Sequence, residues 1–360
     1  MRWPERLNSE TFAVEERLHP ARMTLETVLE GLSTAELVLG EDSGSLAIGD
    51  LVRVYDGRGE EAGVFCVKRL MASPLEGRTA AELEHALGLL GDQVIFGTRA
   101  AHDIAGLPPP QEGEEEQPVE VADALTYIIA GNQMRRRWWQ FGASDFHPAY
   151  VFAYENENLL DAVLRTCQVV EEGHRLTCDF STRPWTLNLS ALPSQTECEL
   201  RASRNLLSLT VETARDGFYT RVYPTGKDGL LLDAEDETGA RIRHIDADTM
   251  ALWGYRCALQ SFPHAQDVRE LRAAAASWLS ARKNPLTTVT ARALDLSLKT
   301  RCAQDAPRLG ALCRVCLPTH GLTLTERITA LRWPNLLEEP ERVVVTMATR
   351  SPGAAEMLIR

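Results

Sequence analysis

Apolar and polar residues alternate at both ends of this chain and stop alternating in its middle. A period of two sends successive side chains to opposite faces of a strand, so the ends predict half-buried sheet. At the N-terminal end the alternation runs through Met23 to Leu29 (MTLETVL), Leu46 to Val54 (LAIGDLVRV) and Gly63 to Val67 (GVFCV). Asp56-Gly57-Arg58-Gly59 is a turn, and it predicts that the strand reaching Val54 pairs with the one around Phe65. At the other end the alternating stretches are Val289 to Leu296, Leu312 to Leu317, Leu322 to Leu331 and Val343 to Ala348.

Between them the period is closer to that of a helix. Ala81 to Leu90 sets Leu83, Ala86, Leu87 and Leu90 on one helical face behind Thr79 as a cap, and a short strand, Gln93 to Phe96, follows. Val121 to Ile129, Asn158 to Val169 and Asp267 to Arg282 are further helices, the last with Leu271 and Trp278 inward. Tyr150 to Tyr154, Arg175 to Asp179 and Trp185 to Leu189 read as strands. Arg204 to Glu212 and Tyr219 to Tyr223 read as a β pair joined by the turn at Ala214 to Gly217. Leu107 to Glu120, rich in Pro and Glu without a basic residue, reads as a solvated loop. The fold class expected is therefore α+β: two small β-barrel domains with inserted α+β domains. The segments are 1–76 as a first barrel, 77–190 as an α+β domain and 191–265 as a β-rich stretch. A helix plus strand over 266–300 and the closing strands of a second barrel over 301–360 complete the chain.

Charge removes one class of function. The 360 residues carry 38 basic and 51 acidic side chains, a net charge of −13, the wrong sign for a surface that wraps nucleic-acid phosphates. Met1 to Glu10 is followed by no apolar leader core, and runs such as Leu125 to Ala130 fall far short of the roughly 18 residues of a spanning helix, so no membrane insertion is expected. Eight scattered cysteines in a chain of this size predict reduced thiols in a cytoplasmically made product.

The motifs that carry chemistry are weak. Cys302, Cys313, Cys316 and His320 have a superficially zinc-like spacing, but Leu312 to Leu317 reads as a strand that turns Cys313 and Cys316 to opposite faces; no metal is expected. Gly226-Lys227-Asp228-Gly229 lacks the upstream glycine and following hydroxyl of a phosphate loop and reads as a tight turn. Cys167 with His174 is a nucleophile pair without a supporting motif, and His85, His102, His147, His244 and His264 are isolated. Arg135-Arg136-Arg137-Trp138-Trp139 reads as the anchor of a helix end, with packed tryptophans and arginines paired to local acids. No cofactor and no catalytic group are expected.

An ordered series of segments resembles a known family. It comprises Ile48 to Val54 with Gly63-Val64-Phe65; Ala81 to Phe96; Tyr154 to Trp185, with ENENLLDAV and CDFSTRPW; and Tyr219 to Lys227 (YTRVYPTGK), followed by His244-Ile245 and Trp253-Gly254-Tyr255. Arg308-Leu309-Gly310 through Leu331 resembles the closing barrel. The series is similar to the prophage endopeptidase tail, or tail-associated lysin, family of phage tail proteins, whose N-terminal module has the baseplate-hub fold. The resemblance implies a homotrimer whose two barrels per subunit match a hexameric tail tube, a virion tail location, and tail-tube or distal tail, baseplate or fibre proteins as partners. DNA would pass through without specific binding. The sequence stops at Arg360, where lytic family members carry extensions, so the endopeptidase activity is not expected to carry over. Ile48, Leu51, Val52, Val54, Leu312, Val315 and Leu317 are the expected interface residues. Cleavage of peptidoglycan, or binding of a carbohydrate or receptor through some of the seven tryptophans, are the competing readings.

Overall fold

The computed structural model describes residues 2–349, apart from 112, 113, 115, 134–137, 171, 172, 215, 216, 233, 236–240, 263, 264, 266 and 267. The expected hairpin forms between strands Leu51–Tyr55 and Glu61–Ser73, with Val52 opposite Phe65. Its turn is set by Asp56, whose carboxylate accepts the N–H groups of Arg58 and Glu60, both at 2.9 Å, and by Gly59 at φ +77°.

This hairpin belongs to a unit that occurs twice. The first copy consists of Arg22–Val28, Thr34–Leu39, Leu51–Tyr55, Glu61–Ser73 and Arg78–His85; the second of Leu206–Ala214, Leu286–Leu294, Leu312–Leu317, Leu322–Trp333 and Arg342–Thr349. In both, the sheet order is first, second, fifth, fourth, third, and every pairing is antiparallel. The registers agree residue by residue. Leu25 lies opposite Ala35, Ala35 opposite Leu83 and Leu83 opposite Val67; in the second copy the same chain is Val211, Val289, Met347 and Ile328. Each long fourth strand has a bulge immediately after that point, between Val67 and Arg69 and between Ile328 and Ala330. The lead into the third strand matches too. Gly49 N–H donates to Val67 and Val67 N–H to Asp50, as Gly310 does to Ile328 and Ile328 to Ala311. Gly49 and Gly310 hold φ of +87° and +79°, a region that favours glycine.

The two units are joined edge to edge. Arg22–Val28 pairs antiparallel with the end of Leu322–Trp333: Leu25 opposite Trp333, Glu26 opposite Arg332, Thr27 opposite Leu331 and Val28 opposite Ala330. One core fills both units, with Leu25, Leu37, Phe65 and Leu83 from the first and Val289, Ile328, Trp333 and Val345 from the second. A buried clasp reinforces the joint. Arg58, in the first unit's turn, reaches Asp56 at 2.7 Å, Asp295 at 3.5 Å and the Pro307 carbonyl at 3.0 Å. Beside it, a Cβ added at Gly57 would collide with the Pro340 carbonyl oxygen, so the turn seats against the second unit only because that position is glycine.

Residues 86–195 lie between the units in sequence and build an α+β layer. Helix Val121–Asn132 buries Val121, Leu125, Ile128 and Ile129; helix Leu159–Gln168 starts at Asn158, whose side chain accepts from the N–H groups of Leu160 and Asp161. Trp139 and Trp185 pack edge to face at 5.3 Å in this second core. A smaller body interrupts the second unit between its first two strands. There helix Val268–Ser280 packs on strand Arg221–Thr225, which sits between Ile245–Asp246 and Cys257–Ser261.

The α+β class, with β units at both ends and α+β insertions, is what the alternation predicted. Four expectations change. Tyr150 to Tyr154 is not a strand but the connection from Ala149–Tyr150, paired with Val119–Glu120, to Tyr154–Asn158, paired with Val94–Arg99. Ala81 to Leu90 is strand Arg78–His85 followed by the 3-10 turn Ala86–Asp92: its AELEH start alternates as well as it spirals, and the waiting edges of Thr34–Leu39 and Glu61–Ser73 take it as sheet. The strands near 206 and 221 do not pair with each other; the first joins Leu286–Leu294 and the second the inserted body. Neither unit closes alone as a barrel among the described residues, because the edge that would close the first is taken by the second. Trp278 is half-buried and stacks on Tyr219 at 5.4 Å, and Gly226 to Gly229 is the expected tight turn. Residues 135–137 and 264 lie outside the described residues.

Candidate docking edges and the central cleft

The interface residues expected from sequence fall at equivalent places in the two units. Gly49-Asp50-Leu51-Val52-Arg53-Val54 aligns in register with Gly310-Ala311-Leu312-Cys313-Arg314-Val315, a repeated Gly-x-Leu-x-Arg-Val. Most of these side chains face inward. Val52, Val54 and Val315 are buried in the shared core, and Leu51 is buried against the α+β layer. Leu312 and Leu317 are half-buried; Ile48, at 62% exposure, is open to solvent. Both edges of each third strand are occupied, since Glu5–Leu7 lies outside Leu51–Tyr55 and Thr196–Arg201 outside Leu312–Leu317.

Unpaired edges lie elsewhere. In the second unit the fourth strand is flanked first by Leu312–Leu317 and then by Arg22–Val28. In the first unit the fourth strand is flanked by Leu51–Tyr55 only up to Cys66, and along 68–73 that edge has no strand partner among the described residues. Among the described residues, Leu206–Ala214, the counterpart of Arg22–Val28, has Leu286–Leu294 as its one strand partner, apart from a single bridge between Leu206 and Ala202. Side chains beside these edges are incompletely covered. Leu70 is half-buried where its counterpart Leu331 is buried, and Leu209 and Val211 are half-buried where Met23 and Leu25 are buried. The hairpin beyond Leu70 ends in Leu75, which is fully exposed. The repeated hexapeptide is the sequence signal for the duplication; nothing local marks the free edges, because pairing is a property of distant partners.

An open cleft of about 1240 Å³ runs between the units and the α+β layer, lined among others by Asp56, Arg58, His85, Cys167, Cys178 and Asp179. Its chemistry is quiet. Burial pushes the thiols of Cys167 and Cys178 up to about 12, so neither is a thiolate at neutral pH. Burial lowers His85 to about 4, so its imidazole is neutral, and its Nδ1 accepts the Leu87 N–H at 3.3 Å. Arg58 is engaged in the clasp. Burial raises Asp56 despite the neighbouring Arg58 charge and two backbone N–H donors. Cys313 lies opposite Cys198 in the core, and the contact between the two thiols together with burial pushes Cys313 up, whereas Cys302 is exposed. Among the described residues no three His, Cys, Asp or Glu groups are placed to hold a metal. No helix among the described residues is long and apolar enough to cross a membrane.

No known protein-family model matches the chain, and no characterised protein matches it by sequence. Solved structures do match. The tail protein from Neisseria meningitidis MC58 superposes with a TM-score of 0.64 at 14% identity over 96% of each chain. The 43 kDa tail protein of prophage MuSo2 from Shewanella oneidensis gives 0.64 at 12% identity over 98% of each chain. The E. coli c3393 protein, a component of the type VI secretion system described as structurally similar to the T4 bacteriophage tail proteins gp27 and gp5, gives 0.50 at 11% identity over 95% of this chain and 76% of that one. This chain has the fold of prophage tail proteins. The likeness extends along nearly its whole length, so the duplicated β units and both insertions belong to that fold.

Proposed function

We propose that the chain is a structural tail-tip or baseplate hub of a phage or prophage-like particle, made in the bacterial cytoplasm and resident in the virion tail. Three copies close a ring that joins a hexameric tail tube to the distal tip, and DNA passes through it. The observation that carries this reading is the duplicated five-stranded unit: three copies would present six similar units to a six-fold tube. Residues 1–76 and the closing strands of 301–360 take the tube-docking role, with Ile48 as an exposed contact beside Leu51 and Val52. The α+β layer and the inserted body face distal, baseplate or fibre partners.

The role is assembly, not catalysis. A cleft with neutral thiols and a neutral imidazole already spent on a backbone N–H favours no peptidoglycan-cleaving chemistry. Mass photometry of the purified chain is expected to find particles of three times 39.9 kDa, and electron microscopy a ring with an axial hole. A chain that remains monomeric at tens of micromolar sinks the hub. A zymogram that clears peptidoglycan would establish the enzymatic reading instead.

A further inference from the structure

The joint between the two units of one chain is a template for a joint between chains. In the internal joint, the end of the second unit's fourth strand pairs with the first unit's first strand. Among the described residues, the complementary halves of a second such joint have no strand partner: the end of the first unit's fourth strand, and the edge of the second unit's first strand, Leu206–Ala214, that faces away from Leu286–Leu294. Within one chain the two edges do not meet: six strands of the sheet lie between Leu206–Ala214 and Glu61–Ser73. A second copy can bring such edges together.

From this we infer that residues 69–72 of one copy pair antiparallel with residues 211–214 of the next. The unit-to-unit registers set the partners. Ala72 falls opposite Val211, Met71 opposite Glu212, Leu70 opposite Thr213 and Arg69 opposite Ala214, in the places of Trp333–Leu25, Arg332–Glu26, Leu331–Thr27 and Ala330–Val28. The contact is heterologous, with different surfaces meeting, so it repeats head to tail and ends only when a ring closes. It supplies the backbone partners that the two open edges lack, as strand addition does elsewhere. It also covers Leu70, Leu209 and Val211, whose counterparts in the internal joint are already buried. In the internal joint, the loop after Trp333 lies against Gly57. The equivalent loop of the first unit carries Leu75, so the same geometry brings this exposed leucine to the neighbour's turn at Pro318 to Gly321.

The inference rests on the ring proposed above and specifies which surfaces form it. The test uses the full chain with Cys257→Ser and Cys302→Ser, removing the exposed thiols. Met71→Cys and Glu212→Cys are introduced together and treated with a short thiol-to-thiol cross-linker. A denaturing gel is expected to show covalent dimers and closed trimers for the double variant. A mixture of the two single variants is expected to stop at dimers, and each single variant alone to stay monomeric. The pair Arg69→Cys with Ala214→Cys should give the same pattern, so misfolding of one pair does not decide the outcome. Trimers by mass photometry that yield no cross-link with either pair overturn this joint and leave the hub standing. A chain that is monomeric and uncross-linked overturns both. Self-linking of Met71→Cys alone would mean a two-fold contact and overturns the register.

Discussion

His85 ties several levels of the molecule to one imidazole. Its ring stands edge-on to Phe65 and Phe180, each at 5.5 Å, while Nδ1 accepts the Leu87 N–H that begins the 3-10 turn. Only a neutral ring can accept there. Burial holds its value near 4 against 6.5 in an unfolded chain, so the unfolded state takes up the proton first as pH falls. The contribution of His85 is fully present above pH 6.5 and is lost as pH drops toward 4. Urea titrations of the wild type and His85→Asn, which keeps an acceptor that does not titrate, should show a stability difference that shifts in favour of the variant across that window. A pH-independent difference would mean the imidazole takes up its proton equally in the folded and unfolded states, so that burial does not lower it. Nothing in the sequence around His85 signals this role. It depends on Phe180, brought from far along the chain.

At the scale of elements, two hairpin tips share one turn, and glycine carries it. Pro74-Leu75-Glu76-Gly77 and Pro318-Thr319-His320-Gly321 are both single 3-10 turns with proline at the start, closed by a glycine at φ +60° and +61°. A Cβ at Gly321 meets nothing within 4 Å, so Gly321→Ala carries the left-handed backbone cost alone, about 1–2 kcal/mol. At Gly77 the added carbon also displaces the Glu41 carboxylate, so Gly77→Ala is expected to cost more. Chemical denaturation of the two variants checks the order. These turns are legible in sequence because a local pattern sets them. The strand at 78–85 is not: Ala81 to Leu90 supports a helix and a strand alike, and the outcome is settled by sheet edges supplied from Thr34–Leu39 and Glu61–Ser73.

For the whole molecule, the clasp at Arg58 joins the two units through charge. Its guanidinium serves buried Asp56 and Asp295, and Arg58→Ala would leave both carboxylates without it. Loss of one partner from a buried ion pair costs roughly 3–5 kcal/mol, so Arg58→Ala should unfold at markedly lower urea. A variant as stable as wild type would mean the units hold together by the shared core alone. The charge of −13 acts at the same scale, because any ring multiplies it by the number of copies. A chain so rich in carboxylates should not retain duplex DNA; gel-shift titration at moderate salt is expected to show no complex, and a salt-sensitive complex would count against this.

The sequence by itself determined the strands at both ends, the Asp56 hairpin, the main helices and the acidic surface. Each rests on a period or turn read within a few residues. It also contained the duplication, as Gly-x-Leu-x-Arg-Val beginning at Gly49 and again at Gly310. Which edges meet was decided only by the tertiary structure. Backbone N–H and C=O groups are alike at every position, so Arg22–Val28 finds Leu322–Trp333 through the packing of Leu25 and Trp333 in a common core, not through any local signal. The same physics sorted the candidate interface, burying Val52, Val54 and Val315 while leaving the ends of two distant strands open.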